Sequence, residues 1–275
     1  MRVARFWPNS TAKAAGLPQP PRDWARMLRR TSVPVALLIV WELASDTGIV
    51  DSYYLPPLHV VLGTAWARLL SGQLVQDVGV SLYRLVLGYA IGAVAGIAVG
   101  IVTGRSALIY DLLDPVIQAL RPVSPIALLP LAIVYLGVGD FEKVILIAYS
   151  TFFPVVVNTY FGVRGVDPVV IMAAETLGAR RRRDMLREII LPAALPHIFS
   201  GLRVSLGISF IVLIAAEMVA AHSGLGYRIL DSEQIFEIDA VYVGVVVISL
   251  LGMLFDAAFM RVRRYLLPWY RETST

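Results

Sequence analysis

The side chains most able to act on a solute are polar residues that interrupt long apolar stretches of this sequence. They are Arg121, Ser124, Asn158, Arg203, Ser209 and Glu217. A polar or charged side chain inside a bilayer is costly and normally faces an interior path or a polar partner. We therefore expect these six residues to line or gate a path across a membrane. Two structural alternatives stay open: Arg121 could snorkel to lipid phosphate, and Glu217 could hold an interhelical hydrogen bond.

Signatures of catalysis and metal binding are missing from the sequence. It has no cysteine, and its three histidines show no HxxH or HExxH spacing. Neither Lys13 nor Lys143 lies in a phosphate loop that ends in Gly-Lys-Ser/Thr. We expect no catalytic residue, no metal site and no cofactor bound by this chain. An intramembrane enzyme and a stand-alone secondary carrier remain alternatives, although the clustered catalytic groups of the first and the inverted repeat of the second are not visible.

The composition indicates an all-α membrane protein with several spans. Of 275 residues, 57% are hydrophobic and 16% are charged, unlike a soluble domain. Six stretches approach the ~20 residues that cross a bilayer: 33–50, 82–103, 116–138, 144–163, 198–221 and 240–261. We expect a basic tail over 1–32, a membrane domain over 33–265 and a second tail over 266–275. Most basic residues lie in the tails and in 164–197, which places both termini in the cytoplasm by the positive-inside rule.

Two of these spans carry features that predict their packing. In the second span, Gly88, Gly92, Gly96 and Gly100 recur at every fourth residue. This spacing places them on one helix face, where another helix can approach closely; a narrow pore wall is the alternative. In the third span, the prolines between 115 and 130 predict a broken or kinked helix in the bundle interior.

The polar interval over 164–197 has an apolar surface of its own. Asp167 can cap a helix that starts at Pro168, and Gly178 can end that helix in the left-handed conformation. A second helix is expected over 181–190, ending before the next proline. The interval therefore predicts a helix, a sharp turn and a second helix on the cytoplasmic side, which is more structure than a connecting loop needs.

This interval resembles the EAA signature of permease subunits in ABC importers, whose pattern is E-A-A-x-x-x-G, nine residues, then I-x-L-P. The matching residues are Ala173, Ala174, Gly178, Leu191 and Pro192. Met172 stands where the pattern has glutamate, and ten residues rather than nine separate Gly178 from Ile189. The resemblance extends over most of 55–265, in stretches such as DPVIQALRPVSPIALLPLAIVYLGVG and SGLGYRI, and is greatest for the nitrate, taurine and aliphatic sulfonate subgroup.

The resemblance implies a MetI-like, type I importer fold that works as a homodimer in the bacterial cytoplasmic membrane. It implies two ATPase subunits that bind ATP and Mg, a periplasmic or lipid-anchored solute-binding protein, contact with membrane lipid, and no nucleic acid. Residues 167–191 would form the coupling helix that docks on the ATPase. The residues implied in coupling are Val169, Val170, Ala173, Ala174, Glu175, Leu177, Gly178, Ala179, Arg180, Leu191 and Pro192.

Overall fold

The computed structural model describes residues 23–177 and 182–269, and every regular element in them is a helix. These helices, in chain order, are α1 (Asp23–Asp46), α2 (Leu58–Leu70), α3 (Gln73–Arg105), α4 (Ala107–Leu120), α5 (Leu129–Leu136), α6 (Phe141–Arg164), α7 (Pro168–Thr176), α8 (Arg182–Asp184), a π-helical segment (Met185–Ile190), α9 (Leu191–Ala220), α10 (Leu225–Gln234) and α11 (Ile238–Leu266). The chain forms two compact units, one ending at His59 and the other beginning at Val60.

The first unit is built on α1, and the segment after it folds back along the helix. Trp41 donates its indole N–H to the carbonyl of Pro56 at 2.9 Å. The Glu42 carboxylate accepts the amide of Leu58 at 2.6 Å and pairs with His59 Nδ1 at 2.8 Å. The predicted first span, 33–50, differs from the helix found, because α1 already begins at Asp23.

Among the described residues, four helical stretches are long and apolar enough to cross a membrane: α3, α6, the π-helical segment joined to α9, and α11. They account for four of the six predicted spans. The third predicted span, 116–138, consists of parts of α4 and α5, which are separated by non-helical residues 121–128. Proline lacks an amide hydrogen and clashes with the preceding turn, so Pro122 and Pro125 explain the interruption. The predicted break is confirmed.

The glycine stripe of α3 lies against α6, and the two helices run in the same direction. A Cβ atom built at any of these glycines comes within 3 Å of an α6 side chain. The facing pairs are Gly88 with Ile147, Gly92 with Thr151, Gly96 with Val155, and Gly100 with Thr159. Both partners advance by four residues at each step, so the two backbones stay in close contact over their whole shared length.

Helix α9 packs antiparallel on another side of α6. Gly162 lies against Ala194, and Gly201 lies against Asn158, so small residues again allow close approach. Near the middle of the contact, the hydroxyls of Thr151 and Ser209 are 2.8 Å apart. Helix α6 therefore has α3 on one side and α9 on another, and it forms the centre of the second unit.

The predicted end of a helix before Pro192 is wrong. The helical path continues from α8 through the π-helical Met185–Ile190 into α9. A π turn leaves backbone groups without their usual partners, and proline, which has no amide hydrogen, is tolerated at the start of the following helix. Pro192 therefore continues the helical path into the bundle, which joins α8 rigidly to α9.

Because α3 and α6 are in close contact, we expect one methyl group added between them to lower stability strongly. We expect Gly92→Ala to lower the free energy of unfolding by about 1–3 kcal/mol, the range for overpacking a closed contact, because the new Cβ meets Thr151 Cβ at 2.7 Å. SDS titration of the purified protein in micelles, followed by tryptophan fluorescence, measures this change.

The matched control is Gly79→Ala on the same helix, where a Cβ meets no described heavy atom within 4 Å. That change should be neutral or stabilising, since alanine favours a helix over glycine. Equal stabilities for the two variants would contradict the close packing of α3 on α6.

Candidate functional site

The bundle has two chemically different ends. We call the end where α3 and α6 begin and α9 finishes the network end, and the end where α3 and α6 finish and α9 begins the loop end. The network end holds a set of buried charges, and the loop end carries α7. Three of the six candidate path residues, Asn158, Arg203 and Ser209, lie along the helices between these ends, and Glu217 lies at the network end.

Glu217 lies at the centre of the network end and is fully buried. Its carboxylate accepts hydrogen bonds from Ser81 Oγ at 2.8 Å, from Arg84 at 2.7 Å and from the Gly226 amide at 2.9 Å. A buried carboxylate with this many donors has its hydrogen-bonding capacity met by protein. The structure thus places Glu217 in an interhelical hydrogen-bonded site that joins α9 to α3 and to α10.

Arg84 extends this network to two further segments. It pairs with Asp140, just before α6, at 2.6 Å, and donates to the Ser223 carbonyl at 2.8 Å. Its side chain is almost completely buried. A buried guanidinium is tolerated when it is both paired and hydrogen-bonded, and here the acids on either side of it satisfy both conditions. Arg84 therefore ties α3, the start of α6, the end of α9 and the following loop together.

Asp77 and Arg228 anchor α10 to α3. Asp77 accepts the Gly224 amide at 3.1 Å and pairs with Arg228 Nε at 2.9 Å. Burial lowers the pKa of the Arg228 guanidinium, but the hydrogen bond to Asp77 and its negative charge outweigh that effect and leave the pKa above its ordinary value. Arg228 therefore stays charged in this setting.

Lys143 and Glu142 form a second buried pair at the network end, and both side chains are fully enclosed. Lys143 also donates to the carbonyls of Gly139 and Ala220, each at 2.6 Å. Ala220 is the last residue of α9, and a cation there satisfies an unpaired carbonyl and the helix dipole. This pair fixes the end of α9 to the start of α6.

Sequence reasoning missed most of this network. No role was predicted for Arg84, Asp77 or Asp140, and Lys143 was considered only as a residue of a phosphate loop. Their partners are far away in sequence, and only the fold brings them together. The one signal was the presence of Arg84 within an apolar stretch, which requires an acid nearby.

Asn158 and Ser209, two further path candidates, lie in the contact between α6 and α9. Asn158 donates to the Pro154 carbonyl at 2.8 Å and lies against Gly201. Ser209 is fully buried and donates to the Ser205 carbonyl at 2.8 Å. In this structure, the side chains of Asn158 and Ser209 thus form hydrogen bonds within or between helices.

Arg203 lies elsewhere on α9 and forms a two-pronged ion pair with Asp256 of α11. Its Nε and terminal nitrogen donate to the two carboxylate oxygens at 2.8 and 3.0 Å. This planar geometry is the strongest form of an arginine–carboxylate pair. The pair is partly exposed, in contrast to the enclosed charges of the network end.

Arg121 and Ser124 lie in the break between α4 and α5, and both are exposed. The Leu120 carbonyl, at the start of the break, accepts the hydroxyl of Tyr149 at 2.8 Å. Tyr149 lies about 12 Å from the start of α6, at 1.5 Å per residue. The start of the break, which Tyr149 contacts, therefore lies at membrane depth. Non-helical backbone at that depth must be covered by protein or face water. The break therefore faces protein or water and not lipid.

At the loop end, the predicted cap of α7 is confirmed. Asp167 accepts the Val169 amide at 2.8 Å, and Pro168 is the first helical residue. Ala174 faces the bundle, where it is 8% exposed and packs in a cluster that includes Met185 and Ala194. This cluster holds α7 against the start of α9.

The remaining coupling candidates fall into three groups. Val169, Val170, Ala173, Glu175 and Leu177 are exposed on α7 and just after it, and Leu177 is 89% exposed. Leu191 and Pro192 are half-buried at the start of α9. Gly178, Ala179 and Arg180 lie outside the described residues. Ala174 is thus a contact to the bundle, whereas its neighbours present an apolar surface to the outside.

Residues 92–272 match a family described as the binding-protein-dependent transport system inner membrane component. The chain belongs to this family. The membership agrees with the apolar helices and makes the chain a membrane component of a transport system that uses a binding protein.

Relatives of this transport component cover nearly the whole chain. A Bacillus subtilis protein named putative aliphatic sulfonates transport permease protein SsuC is 35% identical, with 95% of this chain and 94% of that one covered. The Escherichia coli taurine transport system permease protein TauC is 36% identical, with 86% and 88% covered. The Synechocystis nitrate import permease protein NrtB is 31% identical, with 82% and 85% covered.

The fold of this family member also has a solved counterpart. A chain from the MetNI methionine ABC transporter, in an inward-facing conformation, superposes with a TM-score of 0.62. It is 19% identical in sequence and covers 72% of this chain and 97% of its own length. The helical architecture is therefore that of an ABC transporter permease, the MetI-like fold that the sequence predicted.

The buried network predicts that Glu217→Gln is severely destabilising. The amide removes the charge of the enclosed acid beside Arg84 and leaves only the partly exposed Asp140 as its acidic partner. Breaking a buried pair in this way costs about 3–5 kcal/mol. The control is Glu237→Gln, whose ion pair with Arg68 has a similar length, 2.8 Å against 2.7 Å for Arg84 with Glu217, but a glutamate that is 53% exposed. That change should cost about 0–1 kcal/mol. SDS titration of both variants measures the difference, and equal losses would contradict a network held by Glu217.

Proposed function

We propose that this chain is the permease subunit of an ATP-driven importer, and that two copies of it form the path for a small anionic solute. The relatives named for aliphatic sulfonates, taurine and nitrate support this class, because sulfonate and nitrate are both compact oxyanions. A solute-binding protein delivers the solute at the network end. Separate ATPase subunits bind ATP and Mg and act at the loop end.

The observation that carries the proposal is the apolar surface of α7. Val169, Val170 and Leu177 are exposed there, although α7 lies after the end of a membrane helix and not within one. An exposed apolar cluster on a polar segment is typical of a protein interaction site. The occupant is the ATPase subunit, and the residues of this surface dock into it.

The packing behind α7 makes this surface mechanically useful. Ala174 and Ile171 hold the helix to the cluster at the start of α9, and the helical path from α8 into α9 has no loop in it. Motion of the docked ATPases is therefore passed to α9 as a rigid displacement. The two copies then exchange between inward and outward openings, and ATP binding favours one of them.

The proposal also fixes orientation. The loop end faces the cytoplasm, because Arg164, Arg183 and Arg187 lie there and basic residues remain on the cytoplasmic side. Both termini then lie in the cytoplasm. The break at 121–128, with Arg121 and Ser124, lines the path between the copies, since its backbone must face water or protein at membrane depth.

Docking through α7 predicts that Leu177→Asp releases the ATPase. A charge placed in the centre of an apolar contact should weaken the association at least about tenfold, equivalent to losing about 1.4 kcal/mol. Copurification of the ATPase with the tagged chain from mild detergent measures this change.

The control for docking is Ile235→Asp, an exposed apolar residue changed in the same way at the network end. It should leave the ATPase bound, and both variants should elute as the parent protein does in size-exclusion chromatography. Retention of the ATPase by the Leu177→Asp variant would contradict docking through α7. A chain that never carries an ATPase would favour a stand-alone carrier.

A further inference from the structure

The ion pair between Arg203 and Asp256 lies far from both ends of the helices that carry it. Arg203 is about 18 Å from the start of α9, and Asp256 is about 15 Å from the end of α11, at 1.5 Å per residue. The hydrocarbon core of a bilayer is about 30 Å thick. Both residues lie five positions, about 7.5 Å at 1.5 Å per residue, inside the loop-end borders of the predicted spans 198–221 and 240–261. The pair is therefore within the membrane.

Despite this depth, the two side chains are 48% and 46% exposed. Charged groups within membrane spans are disfavoured against lipid and normally face a bundle interior or a water-filled cavity. Contact between this pair and lipid tails is thus energetically unfavourable. The charges of the network end show the contrasting solution, because the protein encloses them almost completely.

The surroundings of the pair leave room for a solute. On α9, Gly207 lies one turn from Arg203, and on α11, Gly252 lies one turn from Asp256. A Cβ at either glycine meets no heavy atom of the described residues within 4 Å. Ser200 and Ser249 are exposed near the same positions. Small and polar residues therefore lie beside the pair, together with the exposed apolar side chains of Val204 and Met253.

We propose that Arg203 receives the anionic head of the transported solute inside the path, and that Asp256 occupies the guanidinium until the solute displaces it. This inference rests on the proposed function and names the residue that selects the charge of the solute. A sulfonate or nitrate presents two oxygens to a guanidinium as a carboxylate does. The solute and Asp256 are thus competitors for one planar donor face.

In this exchange, Asp256 limits how strongly Arg203 retains an anion. While Asp256 is paired, the site carries no net charge and does not retain anions from either side. A solute anion that enters takes the two-pronged contact, and the displaced carboxylate then repels it. Binding is thereby kept weak enough for release, which a path requires.

Reagents of opposite charge test the inference on the assembled complex in lipid nanodiscs. The chain has no cysteine, so Gly207→Cys introduces its only thiol. The rates of its modification by the anionic 2-sulfonatoethyl and the cationic 2-trimethylammonioethyl methanethiosulfonates are measured from the mass of the chain. We expect Asp256→Asn to raise the anion-to-cation rate ratio about tenfold and Arg203→Gln to lower it about tenfold, from the Coulomb energy of one uncompensated charge at this range.

Three further variants control the result. The double variant Arg203→Gln with Asp256→Asn restores neutrality and should return the ratio to within about twofold of the parent. Ser71→Cys, exposed between α2 and α3, should react with both reagents, and its ratio should not respond to Arg203. Val94→Cys, exposed on the apolar face of α3, should react with neither.

Protection by methanesulfonate, used as the solute probe, gives a second measurement. It should slow modification of the cysteine at position 207, with a half-protecting concentration about tenfold lower in Asp256→Asn and no protection in Arg203→Gln. Equal rate ratios in all variants would overturn the inference. So would a cysteine at 207 that reacts with neither reagent or cross-links between two copies, because lipid or the second copy would then cover the face.

The two proposals fail separately. If the complete wild-type system showed no ATP-driven uptake with any loaded binding protein, the proposed function would be wrong. The anion-to-cation rate ratios would still change when the charge of Arg203 is removed. If the wild-type system transported solute but the ratios did not respond to Arg203 and Asp256, only the selecting role of this pair would fall.

Discussion

The close parallel contact between α3 and α6 is the constraint on which the rest of the structure depends. Glycines at every fourth residue of α3 let the α6 backbone approach over the full shared length. This contact leaves another side of α6 for α9, and it brings the start of α3 next to the start of α6. Arg84 can then reach Asp140 and Glu217. Larger residues in the stripe would separate the helices and also the charges that they bring together.

The two ends of this bundle have opposite physical characters. The network end is held by enclosed charges on α3, α6, α9 and α10, in which removal of one member leaves another unpaired. The loop end is held by an apolar cluster behind α7, while the other side of α7 remains open. One end therefore resists rearrangement, and the other presents a surface for a partner. This asymmetry suits a subunit that is driven from one side.

The sequence predicted those features whose physical causes lie in residues close together along the chain. The glycine spacing, the prolines of the third span and the Asp167–Pro168 cap act within one or two helical turns, so their effects could be predicted. Pairs such as Arg84 with Glu217 and Arg203 with Asp256 join distant helices, and no local pattern specifies them. The continuation through Pro192 was predicted wrongly, because a π-helical segment changes what a proline does at that position.

Helix α7 connects this architecture to its proposed task, since its exposed apolar residues are held in place at the loop end and lie after a membrane helix rather than within one. The central claim is that this surface carries an ATPase on a paired permease. Native mass spectrometry of the complex, extracted from membranes by a tag on this chain, tests it most directly. The account predicts an assembly with two copies of the chain and two copies of a nucleotide-binding subunit. A chain that is released alone, or that pairs without any nucleotide-binding subunit, would contradict it.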